Sequence, residues 1–230
     1  VILSLGSNQG NRLQNIQNAI DSIHRGVGTV VKVSNLYETP AWGFDGEAFY
    51  NCALVLNTQN SAETVLEKVL EIENNLGRVR SEVEGYQSRV IDIDVIAFNE
   101  EIIASKDLTV PHPFMQERLF VLVPMRDLNL DWRHPILQKY LPELLKASED
   151  KSKIKLLQSM DFPLKKMGLD QFNYIAIEGN IGAGKTTLVS ILNSLIKKDS
   201  GEVFIYDYNL DSELNKIKAI SSFVPQTYAF

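Results

Sequence analysis

The sequence has a single cysteine, Cys52, in 230 residues, so no intrachain disulfide can brace it. Cys52 leads into the apolar run Ala53-Leu54-Val55-Leu56, which reads as a small buried hydrophobe and not as a nucleophile. No apolar stretch approaches the roughly 20 residues that a membrane-spanning helix needs. No charged-then-apolar leader with a cleavage site is evident either, and a reducing, cytoplasmic setting is expected. Positive charge is in deficit, 23 Lys and Arg against 29 Asp and Glu, for a net charge of −6. A protein that grips nucleic acid through its overall field is thereby disfavoured, although a local basic site for a small anion is compatible with that balance. No internal repeat or low-complexity tract interrupts the chain. What remains is ordinary for a soluble globular protein, at 44% apolar and 23% charged residues. Disorder throughout is excluded, and the length suits one domain and part of a second.

Val1 to Leu5 reads as a strand that stops at Gly6, and Asn8 to Asn11 supply turn and cap residues. Leu13, Ile16, Ile20 and Ile23 then recur at helical spacing. A β-rich run from Thr29 to Leu36 is followed by a loop over Glu38 to Glu47, punctuated by Pro40, Gly43 and Gly46. Asn51 to Leu56 is a further strand. Asn60 and Ser61 cap a helix whose apolar face is Val65, Leu66, Val69, Ile72 and Leu76. Ile91 to Phe98 is the next strand, and Asn99-Glu100-Glu101 turns it toward a short partner at Ile102-Ile103. The order β-α-β-β-α-β predicts an α+β protein with a ferredoxin-like sandwich. Beyond Pro124 the pattern turns mostly helical and irregular. Domain boundaries are drawn at 1–158 and 172–230, with 159–171 as a linker.

In Ile91-Asp92-Ile93-Asp94-Val95 the two-residue period of a strand puts both carboxylates on one face. Carboxylates about 6–7 Å apart along a strand can converge on one or two hard cations, as magnesium sites beside phosphates require. The same alternation also suits a plain half-exposed strand. Arg78, Arg80 and Arg89 precede the pair closely, and guanidinium groups offer planar, bidentate donors matched to phosphate oxygens.

Taken in order, Leu5-Gly6-Ser7-Asn8, Tyr37-Glu38-Thr39-Pro40, Tyr50-Asn51, Gly77-Arg78-Val79-Arg80, Arg89-Val90-Ile91-Asp92-Ile93-Asp94, Leu108-Thr109-Val110-Pro111-His112 and Arg118-Leu119-Phe120 resemble the 6-hydroxymethyl-7,8-dihydropterin pyrophosphokinases of folate biosynthesis. The resemblance covers roughly residues 1 to 155. It implies ATP as co-substrate, a hydroxymethyl-dihydropterin as acceptor, and two magnesium ions on Asp92 and Asp94. It further implies that Arg78, Arg89 and His112 contact the triphosphate, with Thr109 beside them, and that Arg118 joins when its loop closes. Glu73 is expected to orient Arg78 or the ribose side of the nucleotide. The pterin site is implied at Thr39, Pro40, Phe49, Asn51 and Phe120, with Asn51 as the amide and the two phenylalanines as the rings. Residues 81–88 depart from the family's usual pattern. They are acidic where basic residues are frequent, Tyr86 stands where Trp is common, and Val90 replaces the usual Thr.

A second motif follows. Tyr174 to Ile177 reads as a strand running into Gly179-Asn180-Ile181-Gly182-Ala183-Gly184-Lys185-Thr186, the P-loop pattern, with an apolar helix after it. In such a loop the Gly179 and Gly184 backbone cradles phosphates, Lys185 reaches the terminal ones and Thr186 holds magnesium. Residues 174–188 resemble deoxynucleoside kinases, while Lys198 to Val203 and Phe223 to Gln226 resemble an ABC-transporter ATPase. No Walker B acid or signature motif follows, so an incomplete P-loop α/β segment is expected. An alternative reading makes this P-loop the functional part, as a nucleotide-binding or nucleoside kinase module, with the first domain as scaffold. No nucleic-acid or membrane partner is expected on either reading.

Overall fold

The computed structural model describes residues 1–78, 87–166, 204–205 and 208–209. The chain divides into two compact units, Val1–Phe162 and Pro163–Phe230. The first runs in the order β1 (Ile2–Ser7), α1 (Arg12–Gly26), β2 (Thr29–Val33), β3 (Asn35–Thr39), β4 (Phe49–Asn57), α2 (Ala62–Asn75), β5 (Asp92–Ala97), β6 (Ile103–Ala104), β7 (Thr109–Val110), α3 (Leu119–Asp127), α4 (Leu141–Ala147) and β8 (Lys155–Ser159). Of the second unit, α5 (Pro163–Lys166) and the antiparallel pair β9 (Phe204–Ile205) and β10 (Tyr208–Asn209) are described. Gly179, Gly184, Lys185 and Thr186 lie outside the described residues.

The main sheet is antiparallel, in the order β5-β1-β4-β3-β8, with β2 also on β4. β2 and β3 are successive stretches along β4, separated at Ser34, which is the Thr29–Leu36 run of the sequence with a break in it. The break is hydrogen-bonded: Ser34 N donates to the Ala53 carbonyl at 2.8 Å and Ser34 Oγ accepts from Ala53 N at 2.9 Å.

The two faces of the sheet follow the strand period. Leu3, Leu5, Cys52, Leu54, Leu56, Ile93 and Val95 are buried and share one face by alternation. α1 and α2 supply Ile16, Ile20, Ile23, Val65 and Val69 to the core at three- and four-residue spacing. Asn11 caps α1 by accepting from Gln14 N, and Ser61 caps α2 by accepting from Thr64 N. On the other face Ile2, Ala53 and Ile96 pack with Val121, Leu122, Met125 and Leu144 of α3 and α4. Ser4, Gly6, Asn51, Asp92 and Asp94 share that second face near the start of α3, and this is where the cleft opens.

Two expectations are revised. The short strand near Ile103 pairs with β7 and not with β5, the intervening turn being formed at Asn99, whose φ is 51°. Secondly, β8 lies beyond Pro124, where the sequence reads as mostly helical and irregular. It pairs with β3 from Asn35↔Ser159 to Glu38↔Lys155, and four of its five residues are exposed. An edge strand buried on neither face has no period-two pattern to read. The compact unit accordingly runs to Phe162, four residues past the boundary drawn at 158.

Candidate active site

The cleft is lined by Ser4 and Gly6 of β1, Thr39 of β3, Phe49 and Asn51 of β4, Asp92 and Asp94 of β5, Arg89, Pro40, Trp42 and Phe44, and Arg118 and Phe120 at the start of α3. It encloses about 530 Å³ with its open mouth included. Register explains the convergence. Gly6 stands opposite both Asp92 and Asn51, so that carboxylate and amide lie in one row across three strands, and Asp94 stands opposite Ser4 in the neighbouring row on the same face. Gly6 keeps that row open, since a Cβ there would sit 2.9 Å from Asn51 Oδ1. The Asn51 amide, buried, donates to Thr39 Oγ1 at 2.7 Å.

Asp92 is the electrostatic centre. Its Oδ1 accepts from Arg78 and its Oδ2 from Arg89, at 2.5 and 2.7 Å. Arg78 also pairs closely with Glu73. Gly77, at φ +93°, ends α2 in a left-handed turn that brings Arg78 back toward β5. Burial lowers the Arg78 proton affinity, but the charges of Asp92 and Glu73 outweigh it and hold the guanidinium above its ordinary pKa. Glu73 is fully buried and accepts from Ile93 N at 2.7 Å. It ties α2 to β5 and holds Arg78.

Asp94, half-buried beside Asp92, has its pKa pushed up to about 7. Burial is the main cause and the negative charge of Asp92 adds to it, against the opposing pull of Arg118 and Arg89. A cation bound at the pair would favour the ionised form of Asp94. Among the described residues no group of three or more His, Cys, Asp or Glu side chains gathers to hold a metal, so phosphate oxygens and water would have to complete any coordination at the pair.

Arg118 is buried, its guanidinium 4.9 Å from the Trp42 ring centroid, 5.4 Å from Phe114 and 5.7 Å from Phe120. It already faces the cleft in this state. Phe49 is half-buried and meets Phe44 edge-on at 6.2 Å between centroids. His112 lies alongside β5, donating its backbone N–H to the Ile96 carbonyl at 2.9 Å. Burial, with the positive charge of Arg118, pushes its pKa down to about 4, so at neutral pH it is an uncharged imidazole. Its Nδ1 accepts from Phe114 N at 3.2 Å, which leaves the proton on Nε2. Neither His112 nor the exposed Thr109 lines the cleft itself.

Several contributors were not anticipated. Trp42 and Phe44 sit in a Pro/Gly-punctuated loop, and aromatic density in such a loop was the available signal. Asn8, 4% exposed, donates its side-chain N–H groups to Glu47 O and Ser88 Oγ and accepts from Arg89 N at 2.7 Å. Nothing short of the three-dimensional structure marks it as the support of Arg89. Residues 79–86, with Arg80 and Tyr86, lie outside the described residues.

Two paired carboxylates, three guanidinium groups and an aromatic-walled pocket with a buried amide can accommodate a polyanion beside a flat polar ring. Sequence comparison agrees with that chemistry. Residues 2–130 match the 7,8-dihydro-6-hydroxymethylpterin-pyrophosphokinase family. The chain is 36% identical over 144 residues to the 2-amino-4-hydroxy-6-hydroxymethyldihydropteridine pyrophosphokinase of Aquifex aeolicus, covering 62% of this chain and 88% of that protein. It is 36% identical over 172 residues to the Bacillus subtilis enzyme of the same name, covering 74% and 93%. A folic acid synthesis protein of Dictyostelium discoideum is 39% identical over 138 residues, but the chain spans only 20% of its length. Plasmodium falciparum HPPK-DHPS shares the fold at a TM-score of 0.52 and 16% identity, over 63% of this chain and 44% of that one. The chain belongs to the 7,8-dihydro-6-hydroxymethylpterin-pyrophosphokinase family. Residues 165–230 separately match the ABC transporter family.

Proposed function

We propose that the first unit transfers pyrophosphate from ATP to 6-hydroxymethyl-7,8-dihydropterin, releasing AMP, as a step of folate biosynthesis. The observation that carries this reading is the single row of Asp92, Gly6 and Asn51, in which a carboxylate suited to a metal-bound polyphosphate and an amide suited to a heterocycle flank one strand. The hydroxymethyl oxygen attacks the β-phosphorus, the bond from that phosphorus to the α–β bridging oxygen breaks, and AMP leaves with that oxygen. The hydroxyl proton passes to solvent or to a phosphate.

Asp92 and Asp94 are the residues to hold magnesium, and two carboxylates on one strand face suit a hard, oxygen-liganded cation. When bound, the metal supplies charge neutralisation of the triphosphate. The chain's own residues do the rest by positioning and electrostatics. Arg78 and Arg89, which both donate to Asp92, are the guanidinium groups to meet the phosphate oxygens. Arg118 approaches from the aromatic wall, and neutral His112 offers an Nε2–H donor and no charge. Asn51, with Thr39 and Pro40 beside it, reads the pterin edge between the rings of Phe49 and Phe120. We assign the unit to the ferredoxin-like sandwiches, because its first strand lies between the last and the third of a β-α-β-β-α-β order.

The test is the identity of the nucleotide product. With Mg-ATP and the hydroxymethyl-dihydropterin, AMP should appear in step with pterin consumption; ADP as the sole product would overturn the reading. The ABC transporter match over 165–230 favours a second, separate reading, in which the P-loop segment binds nucleotide phosphate through Lys185 and Thr186. Loss of a second ATP-binding event in Lys185→Ala would support it, and unchanged stoichiometry would sink it.

A further inference from the structure

The segment 40–48 carries Pro40, Trp42 and Phe44 into the cleft, although most of it is exposed. Its two ends are paired, Thr39 opposite Phe49, and those two side chains face the cleft. By strand alternation, Glu38 and Tyr50 face the opposite side of the sheet, where the N-terminus of α1 lies. Arg12, the first residue of α1, meets both. Its guanidinium lies 3.9 Å from the Tyr50 ring centroid and 3.6 Å from Glu38 Oε2, and it donates to the Ala48 carbonyl at 2.7 Å.

We propose that Arg12 is a positioning residue for the acceptor substrate: from the back of the sheet it grips both ends of segment 40–48 and so fixes the aromatic wall of the cleft. One planar group reaches the residue before each cleft-facing anchor, Glu38 before Thr39 and Ala48 before Phe49. A fork with several donors can satisfy a carbonyl and a carboxylate while stacking on a ring. Arg12 bonds segment 40–48 directly, whereas the phosphate-side Arg89 meets that segment through Asn8, which donates to Glu47 O and accepts from Arg89 N. Asn8 also holds Ser88 Oγ, so loosening the Arg12 grip affects the acceptor side more than the phosphate side. This inference rests on the reading of the cleft as a pterin site.

The test compares full-length wild type, Arg12→Ala and Arg12→Lys for AMP release with either substrate varied, with hydrogen exchange of amides 41–48 measured alongside. Arg12→Ala should raise the pterin KM about tenfold, the loss of a charge-assisted hydrogen bond and a stacking contact. The ATP KM and kcat should stay within about threefold, and exchange across 41–48 should accelerate. Arg12→Lys, which keeps one charged donor, should recover part of the KM. An unchanged pterin KM, or pterin and ATP KM values rising together, would overturn the inference. If Arg12→Ala does not fold, Arg12→Lys and Glu38→Gln must show the same selective rise or the inference fails. A wild type that releases no AMP would overturn the functional reading instead, and the exchange measurement would still decide whether Arg12 clamps the segment.

Discussion

Replacing Asp94 with asparagine should make the ligand-free protein more stable while removing its activity. Asp94 carries a pKa near 7 in the folded protein against an ordinary 3.8, because burial and the Asp92 charge both oppose its ionisation. A folded-state pKa raised in this way contributes stability that is fully present below pH 3.8 and is lost as pH rises to about 7. The full cost of ionising such a group is about 4 kcal/mol. Asp94 is only half-buried and faces an open cleft, so solvent screening reduces the cost to about 1–2 kcal/mol. Asparagine keeps the shape and carries no charge. Thermal unfolding without metal or nucleotide at pH 8 should therefore show the variant about 3–8 °C above wild type, for a unit of this size. The gap should close progressively toward pH 4. AMP formation by the variant should fall by orders of magnitude, because a neutral amide is a poor magnesium ligand. A variant that melts with or below wild type at pH 8 would refute the electrostatic reasoning.

Gly6→Ala would place a Cβ 2.9 Å from Asn51 Oδ1 and break the alignment of the amide with Thr39; the pterin KM should rise about tenfold, at the cost of one buried hydrogen bond, as read from initial rates. Tyr37→Phe removes the 2.6 Å hydrogen bond to Asp127, which joins β3 to the last residue of α3. Urea unfolding should show a loss of about 1.5–3 kcal/mol, the range for hydrogen bonds to charged groups. Cys52 is fully buried and its thiol is pushed up to about 12 by burial. A thiol reagent at pH 8 should label it only when the protein is unfolded.

Much of the fold was legible because amphipathic periods are strong where one face is buried. α1, α2, β1, β4 and β5 each show Leu, Ile or Val at the spacing of their element. β8 escaped because Lys155, Leu156, Gln158 and Ser159 are exposed and carry no pattern. The site was legible in its residue types and not in its wiring. Asp92 and Asp94 share a face, as alternation requires, yet sequence could not show that Arg78 and Arg89 both rest on Asp92. Glu73 was expected near Arg78, and only the approach of α2 to β5 makes it a buried strut. Asn8, Arg12 and Trp42 act across 26 to 81 residues of chain, a separation that local patterns do not encode.

The central claim is that the chemistry belongs to the carboxylates of β5 and not to the P-loop. AMP release by the full chain, measured for wild type, Asp94→Ala and Lys185→Ala under the same Mg-ATP and pterin concentrations, tests it most directly. Asp94→Ala should lose the activity by orders of magnitude while Lys185→Ala retains the wild-type rate. An active Asp94→Ala, or a Lys185→Ala that forms no AMP, would contradict it.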